Sequence, residues 1–104
     1  MERMRSILWV GGAAQLRDEA VAESPLLDVA WARDAEDAAA LPLAAFDALV
    51  VDCDDAVLAG ETVRRLRRAG PGKCPPIVVR LPETAEDVAS DLRRAGADLV
   101  AARG

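Results

Sequence analysis

The chain has 104 residues, 52% of them apolar and 30% charged, with a net charge of −5 and an isoelectric point near 4.6. That length suits one domain around one core, and the composition excludes a disordered or fibrous chain. The acidic balance argues against a direct nucleic-acid partner, which needs a basic footprint, and no apolar run approaches the roughly 18 residues that span a bilayer.

The N-terminus lacks the apolar core of a signal peptide, so a cytoplasmic protein with no membrane contact is expected. Cys53 and Cys74 make neither a disulfide framework nor a metal-ligand spacing. The absence of histidine removes the commonest general base, and a non-enzymatic role is expected.

Ile7-Leu8-Trp9-Val10 reads as the first strand, ending in Gly11-Gly12. A helix is expected from about Ala13 to Glu23, with Ala13, Leu16 and Ala20 on one stripe, stopped by Ser24-Pro25. Leu26 to Trp31 is the second strand, and the interrupting Asp28 places it at an edge. Asp34 can cap a short Ala-rich helix that ends by Pro42. Ala48 to Val51, a short all-apolar run between helical patterns, reads as a strand covered on both faces. It runs into three carboxylates, Asp52, Asp54 and Asp55.

The next helix carries Ala59, Val63, Leu66 and Gly70 on an inward stripe and is closed by Gly70-Pro71-Gly72. Ile77 to Leu81 is the fourth strand. Thr84 with Asp87 resembles a capping box opening a helix that buries Ala85, Val88, Ala89 and Leu92. Leu99 to Ala102 is the fifth strand. One helix in each gap between strands is the βαβ pattern, and right-handed crossovers put helices on both faces. The expected architecture is α/β, a three-layer α/β/α domain over residues 1–104 built as (βα)4β. In such sheets chemistry collects at the carboxyl ends of strands, beside the topological switch point, which is where Asp52, Asp54 and Asp55 fall.

Arg64, Arg65, Arg67, Arg68 and Lys73 form a basic patch, read as a solvated face with Glu61 one turn before Arg65. Gly11-Gly12 before a helix could cradle a phosphate, although the G-x-G-x-x-G spacing is absent. Cys53, beside acidic residues, reads as core filler.

Asp47-Ala48-Leu49-Val50-Val51-Asp52 with Gly60 eight residues beyond Asp52 resembles the phosphoacceptor segment of response-regulator receiver domains. Leu92-Arg93-Arg94-Ala95-Gly96-Ala97-Asp98 resembles their Gly-Ala approach to the fifth strand, and the likeness runs over nearly the whole chain. The resemblance implies the flavodoxin-like strand order 2-1-3-4-5, with Asp52 as the phosphoacceptor equivalent. It also implies an acidic pair that holds Mg²⁺ with that aspartate, a Ser or Thr ending the fourth strand, an aromatic in the fifth, and a Lys before a Pro after it. At those positions this chain has Gly11 and Gly12, Leu81, Val100, and Arg103 before Gly104. Asp54 lies where a backbone carbonyl reaches the metal.

The expectation is therefore a degenerate receiver with no cofactor, acting as a phosphorylation-independent protein-interaction module in signal transduction or regulation. Without a metal, a phosphoryl donor meets clustered negative charge, at about 4 kcal/mol per pair at ~4 Å for an effective dielectric near 20. The alternative is a functional phosphoreceiver that uses Mg²⁺ and takes a phosphoryl group on Asp52 from a histidine kinase. A further reading is a small-ligand or nucleotide domain using Gly11-Gly12. The resemblance also implies a fifth helix after the last strand, for which the sequence has no residues. The face it would cover is expected to take a protein partner or a second copy as a homodimer, with the equal alternative that this sequence is part of a longer protein.

Overall fold

A computed structural model describes residues 5–12, 27–69 and 74–102. Along the chain come β1 (Arg5–Gly11), β2 (Leu27–Ala32), α1 (Ala35–Ala39), a 3-10 turn (Leu43–Ala45), β3 (Ala48–Asp52), α2 (Ala56–Ala69), β4 (Ile77–Leu81), α3 (Glu86–Ala95) and β5 (Leu99–Ala102). All pairings are parallel and the order is β2-β1-β3-β4-β5, the flavodoxin-like arrangement, with β2 at the edge as Asp28 suggested. The helix expected over residues 13–23, the turn at Gly70-Pro71-Gly72, and Arg103 and Gly104 lie outside the described residues.

Alternation along each strand, combined with the register, builds the core on one face. Leu8 stands beside Leu49 and Leu49 beside Ile77; one layer on, Val10, Val51 and Val79 line up in the same way. These six and Leu81 are almost fully buried, and they pack on Ala38, Ala59, Val63, Leu66 and Leu92 from the helices. Burial of one such Leu or Ile contributes about 1.5–3 kcal/mol. The stripe Ala59, Val63, Leu66 expected on α2 is this inward face.

The opposite face carries Trp9, Val50, Val78, Arg80 and Leu99, again in register. The Arg80 guanidinium lies 4.9 Å from the centre of the Trp9 ring, a cation–π contact that shelters a charged residue within an apolar strand. The buried Trp9 Nε1–H has no acceptor among the described residues, at a cost of about 1–3 kcal/mol.

Local chemistry sets the element ends. The Asp37 N–H donates to Asp34 Oδ1 at 2.9 Å, so Asp34 caps α1 as expected. β1 begins two residues before Ile7, because Ser6 N–H donates to Asp47 Oδ2 at 2.8 Å and Asp47 N–H returns a bond to Ser6 O at 2.7 Å. The capping box at Thr84 does not form. The N-cap of α3 is Ala85, with no side-chain cap bond, and this shift of one residue makes Asp87 the second helical position instead of the third. Ala85 is consequently exposed, against expectation, while Ala89 and Leu92 are buried and Val88 is half-buried.

At the other end of α3, Gly96 adopts φ 125°, and Gly96 N–H and Ala97 N–H return to Arg93 O and Leu92 O, both at 3.1 Å. This is a Schellman-type stop, which favours glycine. Arg67 on α2 then donates to Gly96 O through Nε at 2.9 Å and Nη2 at 2.6 Å, and Nη2 also lies 2.6 Å from Asp98 Oδ2. The same Asp98 oxygen accepts the Ile77 N–H at 2.8 Å. The Gly-Ala-Asp run is thus a junction where α2, α3, β4 and β5 are tied together. No helix among the described residues is long and apolar enough to cross a membrane.

Candidate functional site

Because the strands are parallel, their carboxyl ends meet at one edge of the sheet. The register places Gly11 beside Asp52 and Asp52 beside Arg80, so three neighbouring strands present a glycine, a carboxylate and a guanidinium-bearing residue in one row. Asp52 ends β3 and is 2% exposed.

Gly11 and Gly12 follow with φ 79° and 71°, both in the left-handed region. A Cβ at position 11 would lie 2.8 Å from the Asp52 carbonyl oxygen. At position 12 it would lie 2.7 Å from Asp52 Oδ2 and 3.0 Å from Asp52 Cβ. Only a residue without a side chain fits either place as the backbone stands. The chain thereby turns tightly over the Asp52 side chain. From β2, Trp31 Nε1–H donates to Gly11 O at 3.1 Å and steadies that turn.

The three carboxylates that stand together in sequence differ in burial, Asp52 being buried and Asp54 and Asp55 exposed. Asp55 is exposed and caps α2, its Oδ1 accepting the Val57 N–H at 2.9 Å. The Cys53 thiol donates to Asp55 O at 3.3 Å and packs at the margin of the core. Asp54 is exposed. Leu81 is a core residue with 2% exposure, and Val100 is half-buried against the same core. Arg103 lies outside the described residues.

A cavity of about 290 Å³ opens at this edge, with Gly11, Asp52, Arg33, Glu61, Thr62 and Arg65 among its walls. Of these only the first two were singled out for the site from the sequence; Arg80 was missed as well, although a charge inside an apolar strand is a visible signal. Arg33 donates to Asp37 at 2.9 Å. That hydrogen bond holds the Asp37 carboxyl below the ordinary aspartate range and raises the Arg33 guanidinium further. The Thr62 hydroxyl is spent on Leu58 O at 2.8 Å.

No family model matches the chain, and no curated protein matches it. Solved structures do match. The chemotaxis response regulator CheY4 of Vibrio cholerae superposes with a TM-score of 0.76 at 21% identity, over 96% of this chain and 87% of that one. The chain has the receiver fold. The response regulator domain of Thermotoga maritima CheB gives 0.75 at 17% identity, over 97% and 79%. A third receiver-fold neighbour, a response regulator protein of Burkholderia pseudomallei solved with a phosphorylated aspartic acid, a calcium ion and citrate, gives 0.73 at 19%, over 95% and 59%.

A divalent ion of the kind seen in that neighbour does not fit the residues here. Mg²⁺ and Ca²⁺ need several oxygen ligands, usually with one or more carboxylates beyond the first. Beside Asp52 this receiver fold offers two glycines, where an added Cβ would press on the Asp52 carbonyl oxygen at position 11 and on the Asp52 side chain at position 12, and no metal-competent group of three acidic, Cys or His residues exists among the described residues.

Proposed function

We propose that the chain is a single receiver-like domain, 1–104, that works as a phosphorylation-independent protein-interaction module in cytoplasmic signalling or regulation, without enzymatic activity or a metal cofactor. One observation carries this reading: the space in which an acidic pair would stand is closed by Asp52 itself, 2.7 Å from where a Cβ of residue 12 would be. Asp52 is then the equivalent of the phosphoacceptor without the companions that make it reactive. Phosphoryl transfer relies on cations that neutralise developing charge, the largest contribution in such chemistry. Leu81 and Val100 support the same reading, since by the resemblance they stand for the hydroxyl and aromatic groups that would register a phosphate, and they lie in the core and against it.

Self-association belongs to the same proposal. The sheet face opposite the core exposes Leu99 by 56% and Trp31 by 41%, apolar surface that a second copy or a partner chain would cover. Light scattering behind size exclusion at micromolar concentration tests it, and a monomer throughout removes the homodimer.

The test of the central reading is an amide spectrum recorded with Mg²⁺ and beryllofluoride, a phosphoryl mimic. Amides around Asp52 are expected to stay where they are. Large shifts there establish a functional phosphoreceiver instead, and shifts confined to Gly11 and Gly12 on adding nucleotide establish a ligand-binding domain.

A further inference from the structure

The arginines of α2 divide into one that is used and three that are not. Arg67 is committed to Gly96 and Asp98. Elsewhere Arg33 meets Asp37, Arg93 meets Glu86, Arg94 meets Asp91, and Arg80 covers Trp9. Arg64, Arg65 and Arg68 are exposed and meet no carboxylate among the described residues, in a chain with 18 acidic and 13 basic residues. Even Glu61, one turn before Arg65, makes no ion pair with it. A solvated face of an acidic protein has carboxylates to spare, yet none among the described residues has been drawn to these three.

Two concavities join at Arg64. One, open and about 600 Å³, is walled by Glu61, Arg64, Arg65 and Arg68. The other, about 380 Å³, is the groove between α2 and α3, whose apolar walls are Ala56, Val57, Val88 and Leu92 with Gly60 on its floor. Val57 stands 71% exposed at the rim. Gly60 is the fifth residue of α2, where glycine costs about 0.5–1 kcal/mol relative to alanine. Packing does not require it, because a Cβ there would meet nothing nearer than Leu92 Cδ2 at 3.7 Å, an ordinary contact. What the glycine preserves is the depth of the groove.

We propose that the α2–α3 surface docks an acidic protein segment that carries an apolar anchor: the anchor enters the groove over Gly60, and flanking carboxylates meet Arg64, Arg65 and Arg68. The occupant follows from charge complementarity and from the apolar walls. A nucleic acid fits less well, since it brings no apolar side chain to fill the groove between α2 and α3. The proposal rests on the reading of the chain as an interaction module and names the chemistry of what it binds.

The test uses the full chain and a fluorescent synthetic peptide of about 16 residues with one central Leu flanked by Glu, against the same peptide with Lys for Glu and a 20-base-pair DNA duplex. The acidic peptide is expected to bind saturably, to shift amides of residues 56–68 and 88–94, and to weaken as added salt shortens the screening length to a few Å at about 1 M. The double variant Arg64→Glu/Arg68→Glu is expected to lose about tenfold in affinity and to gain affinity for the Lys peptide. Val57→Ser, at an exposed rim position, is expected to weaken the acidic peptide without altering its salt dependence. Absence of binding at millimolar peptide, shifts elsewhere on the molecule, or equal binding of the Lys peptide to the unaltered chain overturns the proposal. So does DNA that binds at Arg64 and Arg68 where the acidic peptide does not. A beryllofluoride response at Asp52 removes the parent reading and leaves peptide binding untouched; silence in both assays removes only the docking surface.

Discussion

Two glycine junctions of this chain, Gly96-Ala97-Asp98 before β5 and Gly11-Gly12 after β1, both use left-handed backbone, and they have opposite surroundings. At Gly96 every neighbour helps: Arg67 bonds its carbonyl, Asp98 bonds Arg67 and the Ile77 N–H, and the helix end closes on Leu92 and Arg93. At Gly11 and Gly12 the backbone instead folds over a buried carboxylate, within 2.7 Å of where a side chain would begin. The first junction keeps what the fold needs. The second keeps the strand-to-loop path and, on the proposed reading, lacks the oxygen ligands that a phosphorylation site needs. Folding and chemistry make separate demands on the same scaffold, and the proposed function holds that here they have come apart.

The sharpest break of that comparison is to restore an acid. Gly12→Asp is expected to destabilise the chain by about 3 kcal/mol, from left-handed backbone, steric overlap and like charge against Asp52. Denaturant unfolding measures it, and the variant is expected to gain no metal affinity. In an Asp52→Ala background, which removes Oδ2 and Cγ, the penalty of Gly12→Asp should shrink by about 1 kcal/mol or more, a coupling that a double-mutant cycle reads directly. On the other junction, Gly96→Ala is expected to cost about 1–2 kcal/mol, because φ is 125° and the new Cβ would press to 3.0 Å on Arg67 Cγ. Asp98→Ala should cost about 1–2 kcal/mol by leaving the Ile77 N–H without its acceptor and Arg67 without its ion pair. Neither is expected to alter the Asp52 edge, as amide spectra would show.

The smallest effect concerns pH. The Asp37 carboxyl is held below its ordinary value of 3.8 by the hydrogen bond from Arg33. A carboxyl depressed in the folded state adds stability above that value and loses it as pH falls through the lower folded midpoint. A carbon-detected titration is expected to place the Asp37 midpoint below 3.8, and Arg33→Gln should return it toward that value; both side chains are solvent-exposed, so the effect on unfolding is slight.

Most of the sheet was legible because its central strands are short apolar runs between helical stripes, Ala48 to Val51 unbroken and Ile77 to Leu81 broken only by Arg80. Strand order came from the resemblance, not from local pattern, and the observed β2-β1-β3-β4-β5 agrees with it. What escaped was set by distant partners. The early start of β1 depends on Asp47, 41 residues from Ser6. The role of Arg67 depends on Gly96, 29 residues away, so the five basic residues between positions 64 and 73 could not be told apart by spacing. Arg80 has meaning only once register lays it over Trp9 and beside Asp52. The Thr84 cap failed by a single residue, the ordinary margin of helix ends. At the edge, Gly11, Gly12 and Asp52 were readable from sequence, but the left-handed turn that brings Gly12 against Asp52 was not.

Titration with Mn²⁺, a paramagnetic substitute for Mg²⁺, tests the closed edge most directly. The account predicts no saturable broadening of the amides of Gly11, Gly12, Asp52 and Cys53 at millimolar ion. Saturable broadening centred on those residues, abolished by Asp52→Asn, would contradict it.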